Sequence, residues 1–151
     1  PSWEALEGDR PNIVQKFVSR SDRGIAMAQI ATKSVPQDER FTPADVRAAL
    51  SPEGLKNFLP GGAKLLMAKT TKIEGEPAGF IEFSTRLERA GGEGDFQTLM
   101  LIFFQGRTGV FMQFSIGALS SDSADLPSRF EKFRPIFNLM VNSIVFDDKW
   151  K

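Results

Sequence analysis

A chain of 151 residues is about one domain, and at that size folding withdraws roughly 68–70% of the unfolded chain's surface from water. Hydrophobic residues at 41% and charged residues at 25% make a globular balance, while the absence of histidine, cysteine and tyrosine removes the usual neutral-pH base, thiol nucleophile, phenolic acid and soft metal ligands. Nineteen basic residues offset nineteen acidic ones, and without a basic stripe nucleic acid is excluded as a partner class.

Residues 12–20 and 24–33 read as two strands joined by Ser21-Asp22-Arg23, a connector of hairpin composition. In the second strand Ile25, Met27 and Gln29 share one face, and Ala26, Ala28 and Ile30 the other. Small residues on a face predict close packing there, most simply by a helix.

Helical signals follow. Thr42 is a good N-cap, Pro43 suits the first helical position, and Asp45 sits where a capping-box acid belongs. Val46 and Leu50 lie one turn apart. Ser51-Pro52-Glu53 repeats the start signal, so the helix is expected to break and restart with Leu55, Phe58 and Leu59 inward, ending at Pro60-Gly61-Gly62.

From 64 to 117 four consecutive strands are expected. Residues 64–73 form the first, closed by Glu74-Gly75-Glu76. In 78–89, Ile81, Phe83, Thr85 and Leu87 alternate with Glu82, Ser84, Arg86 and Glu88, which predicts one buried face and one wet face. The turn Gly91-Gly92-Glu93-Gly94-Asp95 leads into 96–105, apolar on both faces at its centre, so layers are expected above and below the sheet. Gly106-Arg107-Thr108-Gly109 then turns into 110–117, and such short links make the strands antiparallel neighbours.

A last helix is expected from about Pro127 to Asn142, with Ser123 and Asp125 as capping candidates and Phe130, Phe133, Phe137 and Met140 at helical spacing. Pro135 inside it should kink it. Residues 143–146 are expected to close as a short edge segment. With 14 Phe against two Trp, the aromatic core is phenylalanine.

The order ββ, helix, ββββ, helix defines an α+β chain: an alpha-beta-alpha sandwich around a central, mostly antiparallel sheet of about six strands. A single domain is expected over 1–151, with 1–10 an N-terminal extension and 147–151 a polar C-terminal tail. No window reaches 18 apolar residues, so no membrane span is expected in the chain. It opens on Pro1 and not on Met, so the natural start is expected upstream.

This pattern resembles the PsbP-like superfamily, in Pro11-Asn12-Ile13-Val14-Gln15-Lys16-Phe17, the block 75–89, Gln97-Thr98-Leu99-Met100 running into Gly106-Arg107-Thr108-Gly109, and 137–144. The resemblance is one of element order with soft motifs. It implies a non-enzymatic binding or accessory role, no cofactor, a protein partner, and export to an extracytoplasmic, periplasmic or lipid-anchored location. No functional residue carries over, and the missing His speaks against a His-based metal site.

Local candidates are few. Glu88, Glu93 and Asp95 around the glycine-rich turn are the candidate ligands for a hard cation such as Ca²⁺, although the alternating spacing of a calcium loop is missing and a solvated hairpin turn explains them more simply. Trp3 and Trp150 are candidate partner anchors, each equally able to pin its terminus to the core. Asp147-Asp148-Lys149 reads as a solvated tail. Ser84, Ser115 and Ser128 are available nucleophiles, but without His only a Ser–Lys pair could activate one. The alternative functions are therefore a carboxylate- or hard-metal-dependent hydrolase, in which two or more of Glu82, Glu88, Glu93 and Asp95 converge in a cleft, and an intracellular protein-binding regulator.

Overall fold

The computed structural model describes residues 2–89 and 92–146, the side chain of Arg89 excepted. Trp150 and residues 147–149 lie outside the described residues, as does Gly91. The elements in chain order are β1 (Glu4–Leu6), β2 (Ile13–Ser21), β3 (Gly24–Ser34), α1 (Pro43–Ala49), α2 (Pro52–Leu55), β4 (Lys64–Ile73), β5 (Glu76–Arg89), β6 (Gly92–Gln105), β7 (Thr108–Leu119) and α3 (Leu126–Asn142).

The strands form one seven-stranded sheet in the order β1-β2-β3-β7-β6-β5-β4, antiparallel at every pairing. Hairpins build most of it. Between β4 and β5, Glu74 and Gly75 both have positive φ, 48° and 83°, the backbone of the two-residue turn whose twist matches its flanking strands. The strand count exceeds the expected six because Glu4–Leu6 pairs with β2, from Glu4 opposite Val18 to Leu6 opposite Lys16. Three residues with no alternation of their own leave no strand signal in the sequence.

The helices sit on opposite faces, so the sheet is sandwiched. On one face α1 and α2 cover a cluster of Leu50, Leu55, Ile81, Phe83, Met100 and Ile102. The predicted caps are present: Thr42 Oγ1 accepts from Asp45 N at 3.1 Å while Thr42 N donates to Asp45 Oδ2 at 2.9 Å, and Ser51 Oγ caps α2 through Gly54 N at 3.0 Å. Leu55 comes so close to the sheet that a Cβ at Gly79 would lie 2.4 Å from its Cδ2. Any larger residue at that position would have to push the Leu55 side chain aside.

On the other face α3 lies over the main core, which includes Ala26, Ala28, Leu99, Leu101, Phe114 and Phe130. The small residues of β3 are thus the floor on which α3 packs. Phe114, Phe130 and Phe137 are fully buried, and the stripe of rings read from the helix is core. Pro135 is accommodated inside one continuous helix on its exposed side.

Two expectations need correction. The second face of β5 is not wet along its length, because α3 covers its first half: Phe80 packs on Phe137 and Glu82 is buried beneath Arg134. Of the four side chains expected to be wet on that face, Arg86 and Glu88 are exposed, beyond the end of the helix, and Ser84 is half-buried. Residues 143–146 form no strand. Phe146 turns inward onto Phe103, centroids 5.4 Å apart, and its N–H donates to Glu74 Oε2 at 2.9 Å. One ring with a core socket outweighs two or three ladder bonds at an edge.

Candidate functional site

The strands are far wider than their cover on the α1–α2 side. Six inter-strand spacings make the sheet about 29 Å wide, whereas the seven and four residues of α1 and α2 span about 16 Å of helix. What stays uncovered is a groove of about 550 Å³ on that face.

The register shows how its floor is laid out, since paired residues in a ladder face the same side. The row nearest the helices is Lys16, Gln29, Gln113 and Met100 on β2, β3, β7 and β6. The next is Val18, Met27, Ser115, Thr98 and Phe83, and the third Arg20, Ile25, Gly117, Phe96 and Thr85. A last row of Leu119, Gly94 and Leu87 opens into a notch of about 290 Å³. Residues 6–13 and Pro60 stand as opposite walls.

Polar groups on the floor are paired with one another. Gln29 Nε2 donates to Gln113 Oε1 at 2.5 Å, and Gln113 Nε2 donates to Met100 Sδ at 3.2 Å. Thr98 and Ser115 share a hydroxyl–hydroxyl bond of 2.8 Å, both buried. Phe96 lies flat across the third row because Gly117 has no side chain; a Cβ there would meet its ring at 2.3 Å.

For nucleophilic chemistry Ser115 would need a base, and its hydrogen-bond partner is Thr98. Ser84 faces the other side of the sheet, opposite Lys64 in register, with no hydrogen bond between them among the described residues. Ser128 is on the exposed side of α3.

The predicted acids fall on the α3 side. Glu88 and Glu93 are direct cross-strand partners, and Arg86 sits beside them, 2.9 Å from Asp95 and 4.0 Å from Glu93. A guanidinium therefore occupies the middle of this group. Glu82 lies six residues along β5 from Glu88, about 20 Å away, and among the described residues no three acids gather closely enough to hold a metal ion. The hydrogen bond from Arg86, aided by Ser123, holds the Asp95 carboxyl below its ordinary 3.8. A lowered pKa stabilises the fold above the unfolded value and loses that contribution as pH falls through the folded one. Asp95→Asn should therefore melt earlier than the parent at pH 7 and coincide with it near pH 2, which thermal melts at the two pH values will check.

Trp3 packs on the main core, its ring 6.4 Å from those of Phe114 and Phe133, so it pins the N-terminal segment. Gln29, Gln113, Met27 and Phe96 were not among the sequence-derived candidates. The available signal was the face of Ile25, Met27 and Gln29, which the short 43–59 helical stretch was too small to cover.

No protein-family model matches the chain, and no curated protein does. Solved structures do match it over most of its length. PA94 from Pseudomonas aeruginosa, described as a protein of unknown function and candidate regulator, superposes with a TM-score of 0.50 at 14% identity, covering 96% of this chain and 83% of its own. LpqN from Mycobacterium tuberculosis, involved in cell envelope biogenesis, aligns at a TM-score of 0.45 and 14% identity over 83% of this chain and 71% of its own. A cyanobacterial PsbP from Synechocystis aligns at 0.45 and 14% over 85% and 76%. The chain has an α+β fold with an antiparallel sheet, and the superposition on PA94 extends over nearly all of it.

Proposed function

We propose that this protein is a non-enzymatic binding protein, exported from the cytoplasm, that takes its ligand in the open groove of the sheet. The supporting observation is the lining of that groove: an apolar notch at one end, and a longer part in which apolar side chains surround polar ones held in place by one another, as Thr98 and Ser115 are. A concave site that combines apolar surface with placed polar groups is suited to holding a ligand. The export half rests on the superfamily resemblance; among the described residues no helix is long and apolar enough to cross a membrane.

An environment-sensitive apolar dye tests the site. The protein should bind it saturably, one per chain, and Thr85→Trp, which plugs the third row, should abolish binding while the melting temperature holds. Dye binding unchanged by that plug would overturn the reading. So would turnover on an esterase, phosphatase or glycosidase panel that Ser115→Ala or Glu88→Gln abolishes. Recovery of the full-length precursor's product in the cytoplasmic fraction of the native host would overturn the export half.

A further inference from the structure

We propose that the groove's ligand is a single-chain anionic amphiphile, with a carboxylate head at the row of Lys16, Gln29 and Gln113 and an apolar tail running along the strands to Leu87 and Leu119. This deepens the reading above and rests on the groove being the binding site.

The groove has a polar end and an apolar end. In the first row an ammonium and two carboxamides stand side by side across three adjacent strands. The Gln29 and Gln113 amides each use one N–H within the row, the second of them on a weak sulfur acceptor. One further N–H on each remains for a ligand oxygen. The lining carries three cations, Arg10, Lys16 and Arg20, against one carboxylate, Asp9. Arg20 stands in the third row, away from the two carboxamides, and pairs with Glu4 at 3.3 Å, so Lys16, with Arg10 beside its partner Asp9, supplies the charge that selects the head.

Lys16 is built for exchange. Its side chain is 18% exposed, so the stem is packed while the ammonium is at the groove's surface. That ammonium is 3.1 Å from Asp9, whose side chain is 66% exposed. An exposed ion pair of this kind is weak enough for a desolvated ligand carboxylate to replace it. Beyond the second row, among the described residues, no charged side chain but Arg20 lines the floor, and the final notch is formed by Ile25, Phe96, Leu87 and Leu119 with glycines between them. From Gln113 to Leu119 is six residues of strand, about 20 Å, the length of an extended fatty chain's run over the floor. A cationic head would meet the basic row, and a charge-free head could accept its hydrogen bonds but would gain nothing from its charge.

Titration calorimetry of the full 151-residue protein with myristate, tetradecanol and tetradecyltrimethylammonium, each below its aggregation concentration, tests the assignment. Myristate should bind at least tenfold tighter than tetradecanol, and the ammonium weakest. Raised salt should weaken myristate alone, since the charge attraction is screened. Laurate, two methylenes shorter, should bind about fifteenfold more weakly than myristate, because each methylene withdrawn from water contributes about fourfold. Lys16→Met keeps the packed stem and should bring myristate down to the tetradecanol level without moving tetradecanol. Equal affinity for the three heads, preference for the cation, or a Lys16→Met variant that binds myristate as the parent does would overturn the proposal while leaving the groove in place. Failure of both myristate and tetradecanol to bind, or binding untouched by Thr85→Trp and by Leu87→Asn at the rim, would instead overturn the groove reading itself.

Discussion

Replacing Phe114 by alanine is expected to lower the free energy of unfolding by about 4 kcal/mol, the cost of a fully buried ring and the cavity it leaves. Phe114 is 0% exposed and stands where four other rings meet: Trp3 at 6.4 Å, Phe130 at 6.1 Å, Phe133 at 5.9 Å and Phe137 at 6.1 Å. Three of those come from α3 and one from the segment before β1. A single side chain on β7, near the middle of the sheet, thus fastens both the covering helix and the N-terminus. The surrounding rings are rigid and already in contact, so the cavity cannot collapse cheaply. Domains of this kind are stable by only about 5–15 kcal/mol, so the variant should be marginal. Phe114→Leu, which keeps most of the volume, should lose about 1.5 kcal/mol. Urea denaturation checks both: the midpoint should fall with the slope unchanged, and near-UV dichroism should weaken as Trp3 loses its packing partner. An alanine variant within 1 kcal/mol of the parent would mean that α3 is held by something other than this cluster.

The sequence carries this part of the fold well and the groove poorly, for one physical reason. Period-two alternation, caps and aromatic spacing are local signals, and they place β4 at Lys64–Ile73 and α1 behind Thr42 as expected. Which half of a sheet face a helix leaves bare is set by the order of strands, and that order is not local: β3 pairs with β7 across most of the chain. Gln29 and Gln113 become neighbours only through that pairing, 84 positions apart. Alternation in β5 reports that two faces differ, but not what lies on the second, so Glu82 reads as a solvent residue until α3 is seen above it. Glu88, Glu93 and Asp95 were legible as a group because a hairpin folds them together. Arg86 in their midst was on the same strand, and its place became clear only once Arg86 was paired with Asp95 in register.

Removing the positive charge above Glu82 is expected to cost about 3 kcal/mol, at the lower end for breaking a buried ion pair because Arg134 keeps one side in water. Arg134 Nη2 donates to Glu82 Oε2 at 2.9 Å and to Glu131 Oε1 at 2.7 Å, and its guanidinium lies 5.2 Å from the centroid of the Phe130 ring. The Glu131 hydrogen bond above all, with Glu82 adding to it, raises the Arg134 pKa against the desolvation that opposes it. Gln97 Nε2 supplies the second bond to Glu82, at 2.7 Å on Oε1. Arg134→Met preserves the stem and its contact with Phe130 but leaves Glu82, with a side chain only 10% exposed, facing the helix without a cation. An uncompensated buried charge is costlier than an absent pair. Glu82→Gln in the Arg134→Met background should therefore recover most of the loss, since the amide carries no charge to desolvate and can still bond Gln97. A double-mutant cycle by urea denaturation measures this, and single-variant losses that simply add in the double variant would show that Arg134 contributes by packing alone. The same cycle read by hydrogen exchange should open α3 ahead of α1 and α2 in the single Arg134→Met variant, because Glu82 stands on the α3 face alone and its stranded charge bears on that layer only.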